Sequence, residues 1–165
     1  MTEAAFTQRV MDMRATLYHT ARALLWNDED AADAVQEAML KAWRKRGSLR
    51  DEGSFEAWFY RIFIRQCRNM QRQQIRRRKV LEEAAREPRI YGIQEGRDVW
   101  EALCRLGEKY RLPLMLCAVQ GYSQKETAAM LGITPEQVKA RTHRARQKLR
   151  AILEEGDEGD GGKRL

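Results

Sequence analysis

Arg61, Arg65, Arg68 and Arg72 recur at i, i+4, i+7 and i+11, and Lys139, His143, Arg146 and Arg150 repeat that spacing in the second half of the chain. On an α-helix of about 3.6 residues per turn, such spacing places four side chains on one narrow stripe. Apolar residues lie behind each stripe: Phe55, Phe59, Ile62 and Met70 with Gln66 behind the first, and Val138, Ala145, Leu149 and Ile152 behind the second. Each segment is therefore expected to be a helix that packs on one side and shows a row of cations on the other. In a chain of net charge +7, two such rows point to a polyanion held at two places.

Helical periodicity extends well beyond these rows. Phe6, Val10, Met13, Leu17, Ala21 and Leu24 recur at steps of three and four, which predicts a first helix to about Leu25. Asn27 or Asp28 is placed to cap a second helix that runs through Trp43 and stops at Gly47 in its C-cap position. After the loop Ser48 to Gly53, Ser54 opens a third helix, which carries the first cationic row down to Lys79. Between Val80 and Arg97 the pattern fails, because Pro88, Gly92 and Gly96 interrupt it and charges of both signs alternate without an apolar face. Residues 81–97 are thus read as a flexible linker. Asp98 and Glu101 then make a capping-box pair ahead of Val99, Ala102, Leu103 and Leu106. From Glu154 onward the chain is rich in acid and glycine and is expected to be a disordered acidic tail, 154–165. No strand-like alternation occurs. The fold class is all-α, with two small helical domains, 1–80 and 98–153.

Composition narrows the function classes. With 43% hydrophobic residues, a third charged and only three prolines among 165 residues, this is the make-up of a soluble, mostly helical protein. No apolar run approaches the ~20 residues that cross a bilayer, and the start carries Glu3 and no signal-peptide pattern. A cytoplasmic protein without membrane insertion is expected. Cys67, Cys104 and Cys117 are odd in number, lack CxxC spacing and have no companions for a zinc site, so they are read as buried, reduced thiols. His19 and His143 are isolated, carboxylates are not clustered, and no P-loop is present. No catalytic residue, metal or cofactor is expected.

The most specific local pattern runs from Tyr122 to Arg150. Ser123 with Glu126 forms one capping box and Thr134 with Gln137 another, with Pro135 at the first helical position, where a missing N–H costs nothing. Between them Leu131, Gly132 and Ile133 make a tight turn. Two capped helices around such a turn, the second one cationic, are the sequence form of a helix-turn-helix. Lys139, Arg141, Arg144, Arg146, Lys148 and Arg150 follow with no acid between Glu136 and Glu154, which favours DNA binding over a hairpin that merely packs.

In the second helix Glu29, Asp33 and Glu37 follow one another at i, i+4, where like charges cost about 0.2–0.5 kcal/mol per pair. Gln36 and Leu40 share that face. It reads either as a solvated face with Glu37 paired to Lys41, or as an acidic patch kept for a basic protein partner. Trp58 lies at the edge of the Arg61 row, where an aromatic can either pack or stack on unpaired bases, packing being the commoner use.

These segments together carry a family resemblance over nearly the whole chain. Asp30-Ala-Ala-Asp33-Ala-Val-Gln36-Glu37 through Ala42-Trp43, followed by Phe55-Glu-Ala-Trp58-Phe59-Tyr60-Arg61-Ile62, resembles conserved region 2 of bacterial sigma factors. Arg111-Leu-Pro113-Leu to Gly121-Tyr-Ser-Gln-Lys-Glu126 and on to Ile133, with Val138-Lys139-Ala-Arg141-Thr-His-Arg144-Ala-Arg146, resembles region 4. The direct junction between them resembles the extracytoplasmic-function (ECF) group of the sigma-70 family. The resemblance implies a protein that is not an enzyme, binds core RNA polymerase, recognises promoter DNA and helps to open it, with an anti-sigma factor as a further partner. It assigns Asp33, Gln36 and Glu37, with Leu40 beside them, to docking on the clamp helices of the largest polymerase subunit. The Ser48 to Gly53 loop, with Trp58, Arg61, Arg65, Arg68 and Arg72, falls to the minus-ten element, where the family captures a flipped base. Lys139, Ala140, His143 and Arg144 fall nearest the bases of the minus-thirty-five element, while Arg141 and Arg146 hold phosphates. Arg65, Asn69, Gln137, Ala140 and Thr142 depart from the family's frequent residues. The alternative, a stand-alone helix-turn-helix regulator, accounts for the second half but for neither the acidic helix nor the Arg61 row.

Overall fold

A computed structural model describes the backbone of residues 1–81 and 97–160 and the side chains of 1–77 and 99–155. All regular structure among the described residues is helical. The chain divides into two compact units, Met1–Ile90 with Ala129–Gly132 and Tyr91–Ala128 with Ile133–Leu165. Apart from its ends at Leu81 and Arg97, the linker expected at 81–97, with Pro88, Gly92 and Gly96, lies outside the described residues.

In the first unit α1 (Glu3–Leu25) starts where the Thr2 hydroxyl accepts the Ala5 N–H at 3.3 Å. Its periodic residues Phe6, Val10, Met13, Leu17, Ala21 and Leu24 are all buried. The helix ends on Trp26, which holds the left-handed conformation at φ 61° while its N–H donates to the Arg22 carbonyl. That conformation costs an L-residue about 1–2 kcal/mol. Immediately afterwards Asn27 accepts the Glu29 and Asp30 N–H groups at 2.8 and 3.1 Å, and Arg22 pairs with Asp28 at 2.6 Å, so the corner is fixed from both sides.

α2 (Asp28–Lys45) buries Ala31, Ala34, Ala38 and Ala42, small residues that allow close approach of its neighbours. Gly47 does not form its left-handed C-cap; it lies inside a 3-10 turn, Arg46–Ser48, with negative φ. The reason lies in the side chains around it. Arg46 donates to the Trp43 carbonyl at 2.8 Å and the Ser48 hydroxyl donates to the Lys45 carbonyl at 2.7 Å, satisfying helix-end acceptors that a glycine cap otherwise serves. Ser54 likewise does not cap the next helix. It closes a second 3-10 turn, Glu52–Ser54, in which Asp51 accepts the Gly53 N–H at 3.0 Å and the Ser54 hydroxyl donates to the Asp51 carbonyl at 2.8 Å. α3 (Phe55–Leu81) then buries Phe55, Phe59, Tyr60, Phe63 and Cys67.

The second unit comprises α4 (Arg97–Arg105), α5 (Glu108–Leu114), a π-helical turn at Met115–Val119, α6 (Gln124–Leu131) as far as Ala128, and α7 (Pro135–Asp160). Asp98 lies within the first turn of α4 and so is not its N-cap. Leu103, Leu106, Leu114 and Ala145 form the core, with Trp100, Tyr110, Leu149 and Ile152 packed against it. Arg111 is buried and donates to the carbonyls of Cys104 and Leu106 at 3.1 and 2.6 Å, closing the C-terminal end of α4. Burial lowers its pKa, with Cys104 and Glu108 acting in the opposite direction.

Pro113 lies inside α5 and supplies no N–H, and its ring crowds the preceding turn. Just beyond it the helix widens into the π turn, and the Gln120 N–H donates to the Met115 carbonyl at 3.0 Å. α7 continues to Asp160, which corrects the expectation of a disordered tail from 154. Ile152 on the core and the Arg105–Glu155 pair at 3.7 Å support the extension, and each further helical residue adds a backbone bond.

Candidate functional site

Each unit presents charged surfaces opposite its buried face. On α2, Ala31, Ala34, Val35 and Ala38 face inward, so the helical period turns Asp33, Gln36, Glu37 and Leu40 outward. These four border a groove of about 540 Å³ whose other wall, on α3, includes Asn69, Met70 and Gln73. Leu40 is 50% exposed at its centre. Lys41 does not hold Glu37 in an ion pair; its ammonium donates to the Gln66 side-chain carbonyl of α3 instead. The structure thus favours the acidic patch with an apolar centre over the self-paired face. Sequence reasoning missed the α3 wall, since Met70 counts as core on the helical pattern yet is only half-buried.

Arg61, Arg65, Arg68 and Arg72 are all exposed along α3, opposite the buried Phe59, Phe63 and Cys67. Arg76 and Arg77 extend the cationic surface by another turn. Trp58 is half-buried. Its ring lies 5.9 Å from that of Phe55, and its indole N–H donates to the Ser48 hydroxyl at 3.3 Å. It therefore braces the loop between α2 and α3, which supports packing as its first use. Arg46 on the same loop stacks its guanidinium 3.8 Å over the Trp43 ring.

The second unit holds the helix-turn-helix. Ser123 and Glu126 form the expected reciprocal box, with the Glu126 N–H donating to the Ser123 hydroxyl at 3.1 Å and the Ser123 N–H to the Glu126 carboxylate at 2.8 Å. Those bonds hold the Glu126 pKa below the usual carboxylate value. The turn passes through Gly132 at φ 67°, a conformation that strongly favours glycine. Thr134 and Gln137 make the second box at 3.0 and 3.2 Å.

Along α7, Val138, Thr142 and Ala145 are buried, and the Thr142 hydroxyl donates to the Val138 carbonyl at 2.9 Å. Lys139, Ala140, His143, Arg144 and Arg146 are exposed and Arg141 is half-buried. The stripe Lys139, His143, Arg146 and Arg150 is exposed throughout, as its spacing predicts. Lys148 points elsewhere, 5.4 Å from the Tyr110 ring centroid. Among the described residues no group of three His, Cys, Asp or Glu could hold a metal ion, and no helix is long and apolar enough to cross a membrane. None of the three cysteines is in a disulfide; Cys67 is buried as expected, whereas Cys104 and Cys117 are only half-buried.

Comparison with known proteins bears on both units. Residues 10–77 match the Sigma-70 region 2 family and residues 96–149 match Sigma-70, region 4. The chain is 34% identical over 155 residues to the ECF RNA polymerase sigma factor SigM of Mycobacterium tuberculosis, covering 90% of this chain and 77% of that protein. Among solved structures it is similar to the sigma factor RpoE in complex with the anti-sigma factor NepR from Bartonella quintana. There the TM-score is 0.76 and the identity 26%, over 91% of this chain and 97% of the other. It is also similar to CnrH in complex with the cytosolic domain of CnrY, with TM-score 0.70 and 28% identity over 93% and 90% of the two chains.

Proposed function

We propose a division of labour among these surfaces from the premise that the chain belongs to the ECF group of the sigma-70 family. As an RNA polymerase sigma factor it binds core RNA polymerase and directs promoter-specific transcription initiation. The observation that carries the reading is the presence, in one chain, of an acidic groove on α2 together with two cationic helices, α3 and α7. A stand-alone regulator has a use for α7 alone.

In this division Asp33, Gln36, Glu37 and Leu40 receive the clamp helices of the largest polymerase subunit. Their negative charge and apolar centre suit a basic helical partner. Arg61, Arg65, Arg68 and Arg72, with the loop braced by Trp58, engage the minus-ten element. Extruding a base there costs a few kcal/mol, which the cations and a loop pocket offset. Lys139, Ala140, His143 and Arg144 read the minus-thirty-five element in the major groove, and Arg141 and Arg146 hold phosphates on either side. Residues 1–80 and 98–153 are the two working modules, and 81–97 links them. The protein works in the cytoplasm, performs no chemistry of its own and is held in check by an anti-sigma factor, as the complexes of its structural relatives suggest.

Mixing the protein with core polymerase and assaying promoter-specific transcripts tests the function. Transcripts that depend on both components are expected. Tight, promoter-specific binding by the free protein, with no transcription on adding core enzyme, overturns it in favour of the regulator.

A further inference from the structure

The loop between α2 and α3 is exposed from Arg46 to Ser54 except for half-buried Leu49, yet it is fastened from a direction the family match does not cover. That match begins at residue 10. Arg9, one residue before it on α1, donates through Nη1 to the carbonyl oxygen of Glu52 in the loop's second 3-10 turn, 43 positions away in sequence. The same guanidinium lies 5.3 Å over the Phe55 ring, at the first residue of α3. One turn earlier Phe6, also outside the match, sets its ring edge-on to Trp43 at 5.2 Å and to Phe55 at 5.6 Å. Phe6 thereby touches the end of α2 and the start of α3, the two posts from which the loop hangs.

A short exposed loop with no sheet or core of its own takes its shape from such ties. Glu52 is also held through its side chain, which pairs with the Met1 ammonium at 2.9 Å, and locally by the turn in which Asp51 accepts the Gly53 N–H at 3.0 Å; Arg9 is the tie to its backbone carbonyl. Space there is limited: a Cβ on Gly53 would meet the Asp51 carboxylate at 3.2 Å. We propose that Arg9 is a positioning residue for promoter opening: bound to the Glu52 carbonyl and laid over Phe55, it fixes the loop in the shape that receives an extruded base. Phe6 serves as its support. The inference rests on the reading that this loop meets the minus-ten element.

The test uses Arg9→Met in the full chain assembled with core polymerase. Methionine keeps the apolar contact with Phe55 and removes the donor. Permanganate reactivity of minus-ten thymines on a duplex promoter is expected to fall about tenfold, the size of one lost charge-assisted hydrogen bond. Core binding stays at the wild-type value, the melting temperature falls by no more than the few degrees that one lost hydrogen bond costs, and a premelted bubble template restores transcript yield, because it removes the opening step. Arg9→Lys, which keeps a cationic donor, recovers part of the loss and carries the test if Arg9→Met does not fold. Wild-type opening by Arg9→Met overturns the proposal, as does an equal loss on duplex and bubble templates, which marks a general defect.

Leu49→Ala and Arg50→Ala in the loop itself separate the two levels of the argument. If they alter minus-ten base preference while Arg9→Met does not, the positioning role is wrong and the loop's assignment stands. If neither loop change alters it, the assignment falls and the positioning role falls with it.

Discussion

Reversing Asp33 and Glu37 together, as Asp33→Lys with Glu37→Lys, separates docking from folding. Both side chains are exposed, while Ala31, Ala34, Val35, Ala38 and Ala42 form the buried face of α2. In the free protein the change turns the 29/33 pair from like to unlike charge, leaves 33/37 a like-charge pair, and turns 37/41 with Lys41 from unlike to like; at about 0.2–0.5 kcal/mol per pair these offset, so the fold is expected to be unharmed. At the groove the effects do not offset. Close charge pairs across protein interfaces couple by about 1.5–7 kcal/mol. Taking ~2 kcal/mol at each of these open positions gives a loss near 4 kcal/mol, or about a thousandfold in Kd for core polymerase. Competition against labelled wild-type protein for core enzyme measures it, with thermal melting as the folding check. Glu29→Lys is the control, since it changes net charge on the same helix outside the groove's lining and is expected to shift Kd less than tenfold, about 1.4 kcal/mol. Wild-type affinity in the double variant removes α2 from the docking role. An equal loss in Glu29→Lys shows that total charge, and not the groove, is what polymerase senses.

On α7, Arg144→Ala is expected to relax preference at one minus-thirty-five base pair by ~1–3 kcal/mol, whereas Arg146→Ala weakens all promoters alike and lowers the salt slope by about one, as read by holoenzyme binding to promoter variants. Thr134→Ala removes the acceptor for the Gln137 N–H and is expected to destabilise the second unit by about 1 kcal/mol in thermal or urea unfolding. Glu126 has a folded pKa below its unfolded one, chiefly through the Ser123 backbone N–H and secondly through its hydroxyl, so these bonds stabilise above the unfolded value and are lost as pH falls through the lowered one; in an NMR titration Ser123→Ala, which keeps the N–H, should return the carboxyl only part of the way toward its ordinary pKa. Segments 1–86 and 97–165, produced separately, are each expected to unfold cooperatively by circular dichroism.

The long helices were legible because burial repeats what periodicity demands: the α1 residues picked out at steps of three and four are all buried, and two of the three capping boxes read in the second unit form, Ser123–Glu126 and Thr134–Gln137, while Asp98 falls inside α4. Where the reading failed, the deciding partners were side-chain bonds that no local pattern displays. Gly47 looks like a helix stop, but Arg46 and Ser48 already satisfy the end of α2. Ser54 looks like an N-cap, but its hydroxyl turns to Asp51. Pro113 was visible in the sequence, yet the π turn that follows it depends on how α5 continues past a missing donor. In the site, exposure of the chosen cations and acids followed from helical phase alone. The α3 wall of the groove did not, because it requires knowing how two helices pack, and neither did the bond from Arg9 to Glu52, which spans 43 residues.

The way α7 is anchored bears on how such a protein changes over time. Val138, Thr142 and Ala145 hold the helix inward, and Thr134 with Gln137 fixes its start. Lys139, Ala140, His143 and Arg144 lie outside that scaffold, fully on the exposed side. Substitutions at exposed positions of this kind usually alter stability by less than about 0.5 kcal/mol, so mutation can explore them without first endangering the fold. On the proposed reading of α7, a duplicated copy can thus drift toward a new set of promoters one residue at a time, each intermediate remaining a folded protein.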